Sequence, residues 1–380
     1  MIFTDDGIRK SGNSGDLTVN DAATIGSGAA NISKRIIIGF SSSDKAKLLS
    51  YSIAASAADG GAEVLFLGES VLPEIIFCSH ISDSGLIIFV ESVYTSAVRV
   101  LLGEGRALPF SYEDMILSKD ERKTGSSGQI SEISGCRELY TAYLRSKTAE
   151  LVSLPYSVRI NSPSALIRDI CAKSFPAHPN REELAFHLNS NGSKVTAFTE
   201  KTGYVTCDKL LTLALKFYLK DKNGTVEIPK DFPGSAEKLF KKIIRTENAK
   251  LPFFNDKIIL IAEILKIIQN ENKSLNELCA DLPDYAELNR YIPLDKERGI
   301  EMIRNLCNEY KNGKIYYLDK DLRGGITIDD DLGRISISPV RSGLGLILHA
   351  ESRAAETAAE LCDFYENKLS DKIGKRGVRI

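Results

Sequence analysis

The loop LNSNGSK, residues 188–194, carries short polar side chains whose types and spacing could support chemistry. Its amide and hydroxyl groups are of the kind that can bind a cation or a phosphate. Apolar runs flank the loop, EELAF before it and VTAF after it, and this pattern predicts two strands joined by a turn. The loop contains no carboxylate. Three interpretations therefore stay open at this point: a metal site, the remains of one, or an ordinary hairpin turn.

A second polar segment, SPVRSGLGL (338–346), combines one cation with small residues. Arg341, Ser342, Gly343 and Gly345 could form a loop whose backbone N–H groups hold an anion. Loops of glycine and serine are also common turns without a ligand. The segment is therefore a candidate phosphate-binding loop, with a plain turn as the alternative.

Composition excludes several classes of protein. The chain has 380 residues, 43% hydrophobic and 26% charged, which predicts a globular protein of two to four domains. A net charge of -2 gives no electrostatic case for binding nucleic acid or an anionic membrane. No apolar stretch has membrane-spanning length and the N-terminus is unlike a secretory signal, so we expect a cytoplasmic protein. The seven cysteines include no Cys-x-x-Cys pair, which favours reduced thiols over a disulfide framework or a zinc site.

The elements that must position these loops change in character along the chain. Strand-like runs at 35–40, 62–68 and 85–91 alternate with helical segments, and this alternation predicts a parallel sheet covered by helices. The polar segment 119–135 reads as a linker. From about residue 291, short strands and glycine turns predict an antiparallel sheet that precedes a final helix.

Four segments in this order resemble the α-D-phosphohexomutase superfamily, the phosphoglucomutase and phosphomannomutase type. FTDDGIRK is similar to the opening motif of that family, and IIIGFSSSDKAKLLSYSIAASAADGGAEVLFLGESVLPEIIF to its first strand-helix-strand unit. TGYVTCDKLLTLAL resembles the start of the third domain. GRISISPV followed by LILHAES resembles the strands around the phosphate loop of the fourth domain.

The resemblance covers nearly the whole chain and implies a multidomain α/β fold. The implied fold has three mixed α/β domains, of which the middle ones are shortened, and a C-terminal α+β domain with an antiparallel sheet. The implied division is a phosphohexomutase-like domain 1 at 1–127, domain 2 with the degenerate metal loop at 128–207, domain 3 without the sugar-recognition loop at 208–288, and a phosphate-loop-like domain at 289–380.

A mutase of this family moves a phosphoryl group between sugar oxygens through a phosphoserine. The resemblance places that serine at Glu91, and Ser92 takes its place if the register of the match shifts by one residue. Glu91 could carry phosphate as an acyl phosphate, or imitate the charge of the phosphoserine, or simply face solvent. One carboxylate carries -1, whereas phosphoserine carries about -1.5 to -2. The histidine and asparagine that follow the serine in the family are also missing, which favours the solvent-facing glutamate.

The metal loop of the family, Asp-Gly-Asp-Gly-Asp-Arg, falls on NSNGSK. Its three ligand positions become Asn189, Asn191 and Ser193, and its arginine becomes Lys194. Mg²⁺ relies on anionic oxygens, so the family's ion is not expected here and no cofactor is predicted. The resemblance thus favours the remains of a metal site, although a polar hairpin predicts the same absence of metal.

The remaining family motifs are weakened or missing. The sugar-recognition motif Gly-Gly-Glu-x-Ser-Gly-His does not occur in the sequence. The phosphate loop of the family falls on the 338–346 segment, and Arg9 in the retained DGIR is a second candidate for a phosphate contact.

These substitutions predict a catalytically inactive member of the fold, a pseudoenzyme, that binds a small phosphorylated sugar, an active mutase or another protein. The alternative is an active sugar-phosphate mutase or phosphotransferase with altered chemistry at Glu91 or Ser92. Such an enzyme would need cationic side chains to neutralise phosphate, and Lys194, Arg99 and Arg9 are the ones that the resemblance places near the site.

Overall fold

A seven-stranded mixed sheet organises the first part of the protein, whose structure is a computed structural model. The strands are β1 Ile2–Thr4, β2 Gly7–Arg9, β3 Arg35–Phe40, β4 Glu63–Glu69, β5 Leu86–Ser92, β6 Ser96–Leu102 and β7 Ile130–Glu132. Their order in the sheet is β1-β2-β6-β5-β3-β4-β7. The residues that the structure describes are 1–4, 7–11, 15–118, 126–152, 154–175, 182–201, 203–220, 225–229, 232, 239, 243–246, 249, 251–283, 286–310, 314–316, 325–341 and 345–374.

Four helices accompany this sheet: α1 Val19–Ile32, α2 Asp44–Asp59, α3 Leu72–Ile81 and α4 Phe110–Leu117. Helix α1 begins with a capping box, in which the side chains of Thr18 and Asp21 each accept a hydrogen bond from the other's backbone N–H. The β3 sequence, RIIIGF, is buried over five of its six residues, as expected of a central strand with helices on both faces.

The predicted parallel sheet is confirmed in part. Strands β5, β3, β4 and β7 run parallel, but β6 and β2 add an antiparallel edge. Residues 96–102 were not predicted to form a strand, because Arg99 interrupts their apolar run. The segment 119–135, predicted as a linker, supplies strand β7, which pairs with β4 over three residues.

A four-stranded sheet follows, formed by β8 Tyr156–Asn161, β9 Glu182–Leu188, β10 Val195–Thr199 and β11 Gly203–Val205 in the order β11-β10-β9-β8. Helices α5 Cys136–Thr148, α6 Ala165–Ser174 and α7 Cys207–Leu219 belong to this part of the chain. After them come the parallel pair β12 Val226–Pro229 and β13 Ile243–Thr246, then α8 Pro252–Asn255, α9 Lys257–Glu271 and α10 Leu275–Ala280.

The predicted C-terminal antiparallel sheet is confirmed. Its strands are β14 Ala286–Pro293, β15 Lys314–Tyr316, β16 Gly325–Asp330, β17 Gly333–Pro339 and β18 Gly345–Ser352, in the order β14-β18-β17-β16-β15. Helices α11 Lys296–Glu309 and α12 Ala355–Gly374 pack on one face of this sheet, where alternate apolar residues of the strands form a separate core.

The chain divides into two compact units. The first contains residues 1–2, 6–232 and 242–282, and the second contains residues 3–5, 233–241 and 283–380. The four domains inferred from sequence stay a prediction. Within the described residues, no helix is both long enough and apolar enough to span a membrane.

Candidate functional site

Glu91 lies at the end of β5, between the parallel neighbour β3 and the antiparallel neighbour β6. Side chains alternate along a strand, so Glu91 shares a face with Ile87 and Phe89. Both of these residues pack in the apolar cluster that the α3 residues Leu72 and Ile75 also join. The carboxylate of Glu91 therefore lies on the face of the sheet that α3 covers. The Glu91 side chain is 14% exposed and so does not extend freely into solvent.

Both oxygen atoms of the Glu91 carboxylate accept a hydrogen bond from the 189–194 loop. The hydroxyl of Ser190 donates to Oε1 at 2.9 Å, and the side-chain amide of Asn191 donates to Oε2 at 2.9 Å. Arg99 Nε lies 3.9 Å from Oε2, across the β5–β6 ladder. Hydrogen bonds to a carboxylate in a partly buried setting are the stronger kind, so this contact ties the second sheet of the first unit to the first sheet.

The loop itself is the turn of the β9–β10 hairpin, as the flanking strands predict. The Asn189 carbonyl accepts from Gly192 N at 3.2 Å, and Gly192 has a φ of +80°, which favours glycine. A Cβ on Gly192 would also come within 3.0 Å of Pro73 in the first turn of α3. The carbonyl of Asn191 accepts from Leu72 N at 3.2 Å. The turn is thus seated on the start of α3 as well as on Glu91.

The oxygen atoms that a cation would require are already used inside the turn. Asn189 Oδ1 accepts from Lys194 N, Asn191 Oδ1 accepts from Ser193 N, and Ser193 Oγ accepts from Asn189 Nδ2, each at 3.0 Å. All three groups are neutral, and amide and hydroxyl side chains commonly stabilise turns in this way. The residues that the resemblance aligns with metal ligands therefore do not fit Mg²⁺, because they offer neither negative charge nor uncommitted side-chain oxygens of the kind that it prefers.

Ser92 points away from this turn. It is the next residue of the strand and so projects to the opposite face, where the Ser92 and Ser96 hydroxyl oxygens are hydrogen-bonded at 3.2 Å. The backbone N–H and the hydroxyl of Ser96 also donate to the carboxylate of Asp16, at 2.7 and 2.9 Å. Burial would raise the pKa of Asp16, but these hydrogen bonds lower it below the ordinary value. Ser92 and Ser96 are paired across the ladder, so only residues 93–95 form the turn.

The candidate phosphate contacts lie in separate parts of the chain. Arg9 Nη1 donates to Thr95 Oγ1 at 2.6 Å, which places Arg9 beside the 93–95 turn. The guanidinium of Arg341, in the second unit, lies 5.5 Å from the centre of the Phe3 ring. Ser342 and Gly343 lie outside the described residues, so the phosphate-loop prediction stays a prediction.

Sequence analysis missed Ser190, Asp16 and Ser96. Ser190 stands between two positions that the resemblance aligns with metal ligands, and its residue type alone gives no reason to connect it with residue 91. The spacing of Asp16 from Ser96, 80 positions along the chain, carries no local signal either. These contacts depend on how the sheets pack, which periodicity does not specify.

No family model matches the sequence. Two curated proteins of low identity do match, both described as "Probable phosphoglucosamine mutase". The protein from Methanosarcina acetivorans is 23% identical over 220 residues, which are 50% of this chain and 48% of that protein, so this match spans about half of each. The protein from Methanococcoides burtonii is 20% identical over 98% of this chain and 99% of its own length.

Solved structures give the same fold. A phosphoglucomutase/phosphomannomutase family protein from Burkholderia thailandensis superposes with a TM-score of 0.69, at 13% identity, over 100% of this chain and 98% of that one. An identity this low establishes the fold and not the activity. The resemblance inferred from the sequence is therefore confirmed at the level of the fold, which is that of the phosphoglucomutase/phosphomannomutase family protein.

Proposed function

We propose that this protein is a phosphohexomutase-fold protein without mutase activity. In this proposal Glu91 stands at the position of the phosphoserine, and hydrogen bonds to Glu91 replace the contacts of the metal ion. The observation that carries the proposal is the pair of hydrogen bonds from Ser190 and Asn191 to the Glu91 carboxylate. They join the two loops directly, where the resemblance implies that a cation joins them. The single negative charge of Glu91 replaces the larger charge of a phosphoserine. The neutral 189–194 turn replaces the three carboxylates of the family's metal loop.

The chemical groups present at Glu91 and in the 189–194 turn support this proposal. Phosphoryl transfer in a mutase needs a nucleophilic hydroxyl, a cation and groups that grip a doubly charged phosphate. A carboxylate stands at the position of the hydroxyl, the turn offers no anionic ligand, and the sugar-recognition motif is absent from the sequence. Loss of a single such component lowers a rate by orders of magnitude, so the combined losses leave no useful mutase rate.

Binding is the function that remains. Two cations are each proposed as a separate phosphate contact within its own unit: Arg9, beside the 93–95 turn of the first unit, and Arg341 in the second. Glucosamine phosphates are the first ligands to test, since the two curated relatives carry the name of a phosphoglucosamine mutase. An active mutase or another protein is the proposed partner if no sugar phosphate binds.

The deciding experiment is a mutase assay with purified protein. Glucosamine, glucose and mannose phosphates are supplied with Mg²⁺ and the matching bisphosphate, and an active phosphohexomutase serves as the positive control. We expect no interconversion of the 1- and 6-phosphates. Turnover that disappears in Glu91→Gln would overturn the proposal. A thermal-shift titration of the same sugar phosphates against Arg9→Ala then tests the binding role, with a loss of the shift as the expected result.

One observation favours the alternative of an active enzyme, and it is the cation near Glu91. Arg99 Nε, 3.9 Å from Oε2, could neutralise an acyl phosphate formed when the carboxylate attacks phosphorus and the sugar oxygen leaves. In that reaction the bonds from Ser190 and Asn191 must first break. Intact-mass measurement after incubation with a sugar bisphosphate tests this directly, because a phosphate on Glu91 adds mass that Glu91→Gln does not gain.

A further inference from the structure

A small cavity in the first unit lies beside the second half of α3, away from the helix start that contacts the 189–194 turn. Its volume is about 280 Å³, which is near the lower end of the range for small-molecule pockets. Residues of α3, α5, α8 and α9 form its walls, together with the segment 103–106 that follows β6. The contacts of Glu91 and of the 189–194 turn involve none of these lining residues, so the cavity is a separate feature of the unit.

The interior of the cavity is apolar. Ile76, Ala249 and Ile259 are buried there. Phe77 and Tyr143 are half-buried and stack on each other, with ring centres 5.1 Å apart and an angle of 26° between the rings. We call these five side chains the apolar recess. A recess of this kind suits a branched aliphatic or aromatic group, because burying such a group removes apolar surface from water.

Opposite charges line the mouth of the cavity. The side chains of His80 and Glu104 are 71% and 54% exposed, so these groups lie toward solvent, above the apolar recess. Arg106 lines the same cavity two positions after Glu104. Its guanidinium has five N–H donors, of which Nε donates to the Gly103 carbonyl at 3.0 Å. A carboxylate and a guanidinium beside an apolar recess are complementary to a zwitterion that carries an apolar group.

The backbone that presents Glu104 is strained. Its φ is +64°, in the left-handed region that residues other than glycine rarely adopt. Two contacts hold it there: Glu104 N donates to Ser79 Oγ at 3.2 Å, and the Glu104 carbonyl accepts from Asn255 Nδ2 at 3.1 Å. Gly105 follows with a φ of +79°, and a Cβ on it would come within 2.9 Å of Ile76. Strained residues that their surroundings hold in place are concentrated at ligand-binding and active sites, which is a second reason to assign a ligand to this cavity.

We propose that this cavity binds a free α-amino acid with a branched aliphatic or aromatic side chain. The side chain of the amino acid enters the apolar recess. Its ammonium group binds the Glu104 carboxylate, and its carboxylate binds the Arg106 guanidinium. His80 Nδ1, which lies 3.3 Å from Glu104 Oε1, orients the Glu104 carboxylate at the mouth. This inference goes beyond the proposed function and does not depend on whether the protein has mutase activity.

The test is calorimetric titration of the purified full chain with L-leucine and L-phenylalanine. We expect saturable binding of at least one of them. Three analogues each lack one recognised group: 3-phenylpropionate has no ammonium, phenethylamine has no carboxylate, and glycine has no apolar side chain. Each should bind about tenfold or more weakly, because a charged or apolar group of the cavity then has no partner. Absence of binding by both amino acids at millimolar concentration, or equal binding of an analogue, would overturn the proposal.

Variants locate the binding within the cavity. Glu104→Gln keeps the size of the side chain and removes its charge, so the affinity for the amino acid should fall about tenfold or more while that for 3-phenylpropionate stays unchanged. Loss of this preference is a result that a general defect in folding would not produce. Glu138→Gln, at an exposed position of α5 outside the cavity, is the matched control and should bind as the original chain does.

A third variant tests the apolar recess. Ala249→Leu places a larger side chain in the interior and should abolish binding without changing any charge at the mouth. Its melting temperature is compared with that of the original chain, so that a loss of fold is distinguished from a filled cavity. Unchanged binding in a folded Ala249→Leu protein, or in Glu104→Gln, would show that the amino acid binds elsewhere and would overturn the assignment of this cavity.

Discussion

The 189–194 turn and the α3–α5 junction both bring polar side chains to partly or fully buried places, yet they differ in how completely those groups are paired. At the turn, both Glu91 oxygens and the side chains of Asn189 and Asn191 have partners within 3.0 Å. At the α3–α5 junction, Glu74 Oε1 of α3 lies 3.5 Å from Arg137 Nε of α5, and the buried Oε2 has no hydrogen-bond partner among the described residues.

The difference indicates what each region does. A fully paired polar network rigidifies the structure and leaves no group available for a ligand. An incompletely paired one carries a desolvation cost, which is smaller when a buried carboxyl group is protonated. On this comparison the 189–194 turn holds two sheets of the first unit together, whereas the α3–α5 junction contains the group whose charge responds to pH.

The largest effect should come from placing two carboxylates against each other at the turn. Asn191→Asp removes the amide that donates to Glu91 and replaces it with a negative charge at 2.9 Å. We expect a loss of about 4 kcal/mol in the free energy of unfolding at neutral pH, measured by urea denaturation. The loss should shrink as the pH falls, because one of the two carboxyls then binds a proton.

A charge swap provides the control for that variant. Adding Glu91→Gln to Asn191→Asp restores one amide and one carboxylate in exchanged positions, and about half of the lost stability should return. The matched variant Asn270→Asp, at an exposed position of α9, should change stability by less than about 0.5 kcal/mol. Additive effects of the two substitutions would show that Glu91 and Asn191 do not interact.

The next effect concerns the junction and depends on pH. The pKa of Glu74 is raised by burial from 4.5 to about 7 in the folded protein. The folded state therefore binds this proton more tightly than the unfolded state, and the stability it contributes is complete below pH 4.5 and is lost as the pH rises through about 7. The loss is on the order of 3 kcal/mol.

Glu74→Gln cannot titrate, so the decline across this window should be absent from that variant. Urea denaturation of both proteins at pH values on either side of this window measures the difference, and all other titrating groups are common to the two proteins. Parallel stability curves for the variant and the original chain would contradict the raised pKa of Glu74.

A smaller effect tests the second hydrogen bond of the turn. Ser190→Ala removes the hydroxyl that donates to Glu91 Oε1, while Asn191 and Arg99 remain in place. We expect a loss of about 1 kcal/mol, because water can reach part of the vacated position. Ser146→Ala, on the exposed surface of α5, is the control and should be close to neutral. If the two substitutions changed the free energy of unfolding equally, the hydrogen bond from Ser190 to Glu91 would not stabilise the protein.

The sequence predicted local structure well and long-range contacts poorly. The strand at 35–40 and the hairpin around Gly192 follow from apolar runs and a turn of Asn, Ser and Gly, which are local signals. The resemblance also placed Glu91 and the 189–194 loop together, and the distances between them are short.

Other features required the packed structure. Glu91 was expected to face solvent, yet it is held by the turn, because period-two alternation does not identify what covers each face of a strand. The hydrogen bonds from Ser96 to Asp16, 80 positions apart in the chain, likewise depend on packing and have no local signal in the sequence.

The smallest expected effect is the response to Mg²⁺, which should be nil in the original chain. The side-chain oxygens of Asn189, Asn191 and Ser193 are neutral and already accept hydrogen bonds, so saturating ion should leave the melting temperature unchanged. The variant Asn189→Asp, Asn191→Asp, Ser193→Asp restores three carboxylates on the same turn. It should be less stable than the original chain without Mg²⁺ and should gain about 2.7 kcal/mol at an ion concentration a hundred times its dissociation constant. A Mg²⁺-dependent shift in the original chain would mean that the turn opens to bind the ion, and the comparison between a fully paired turn and an incompletely paired junction would then fail.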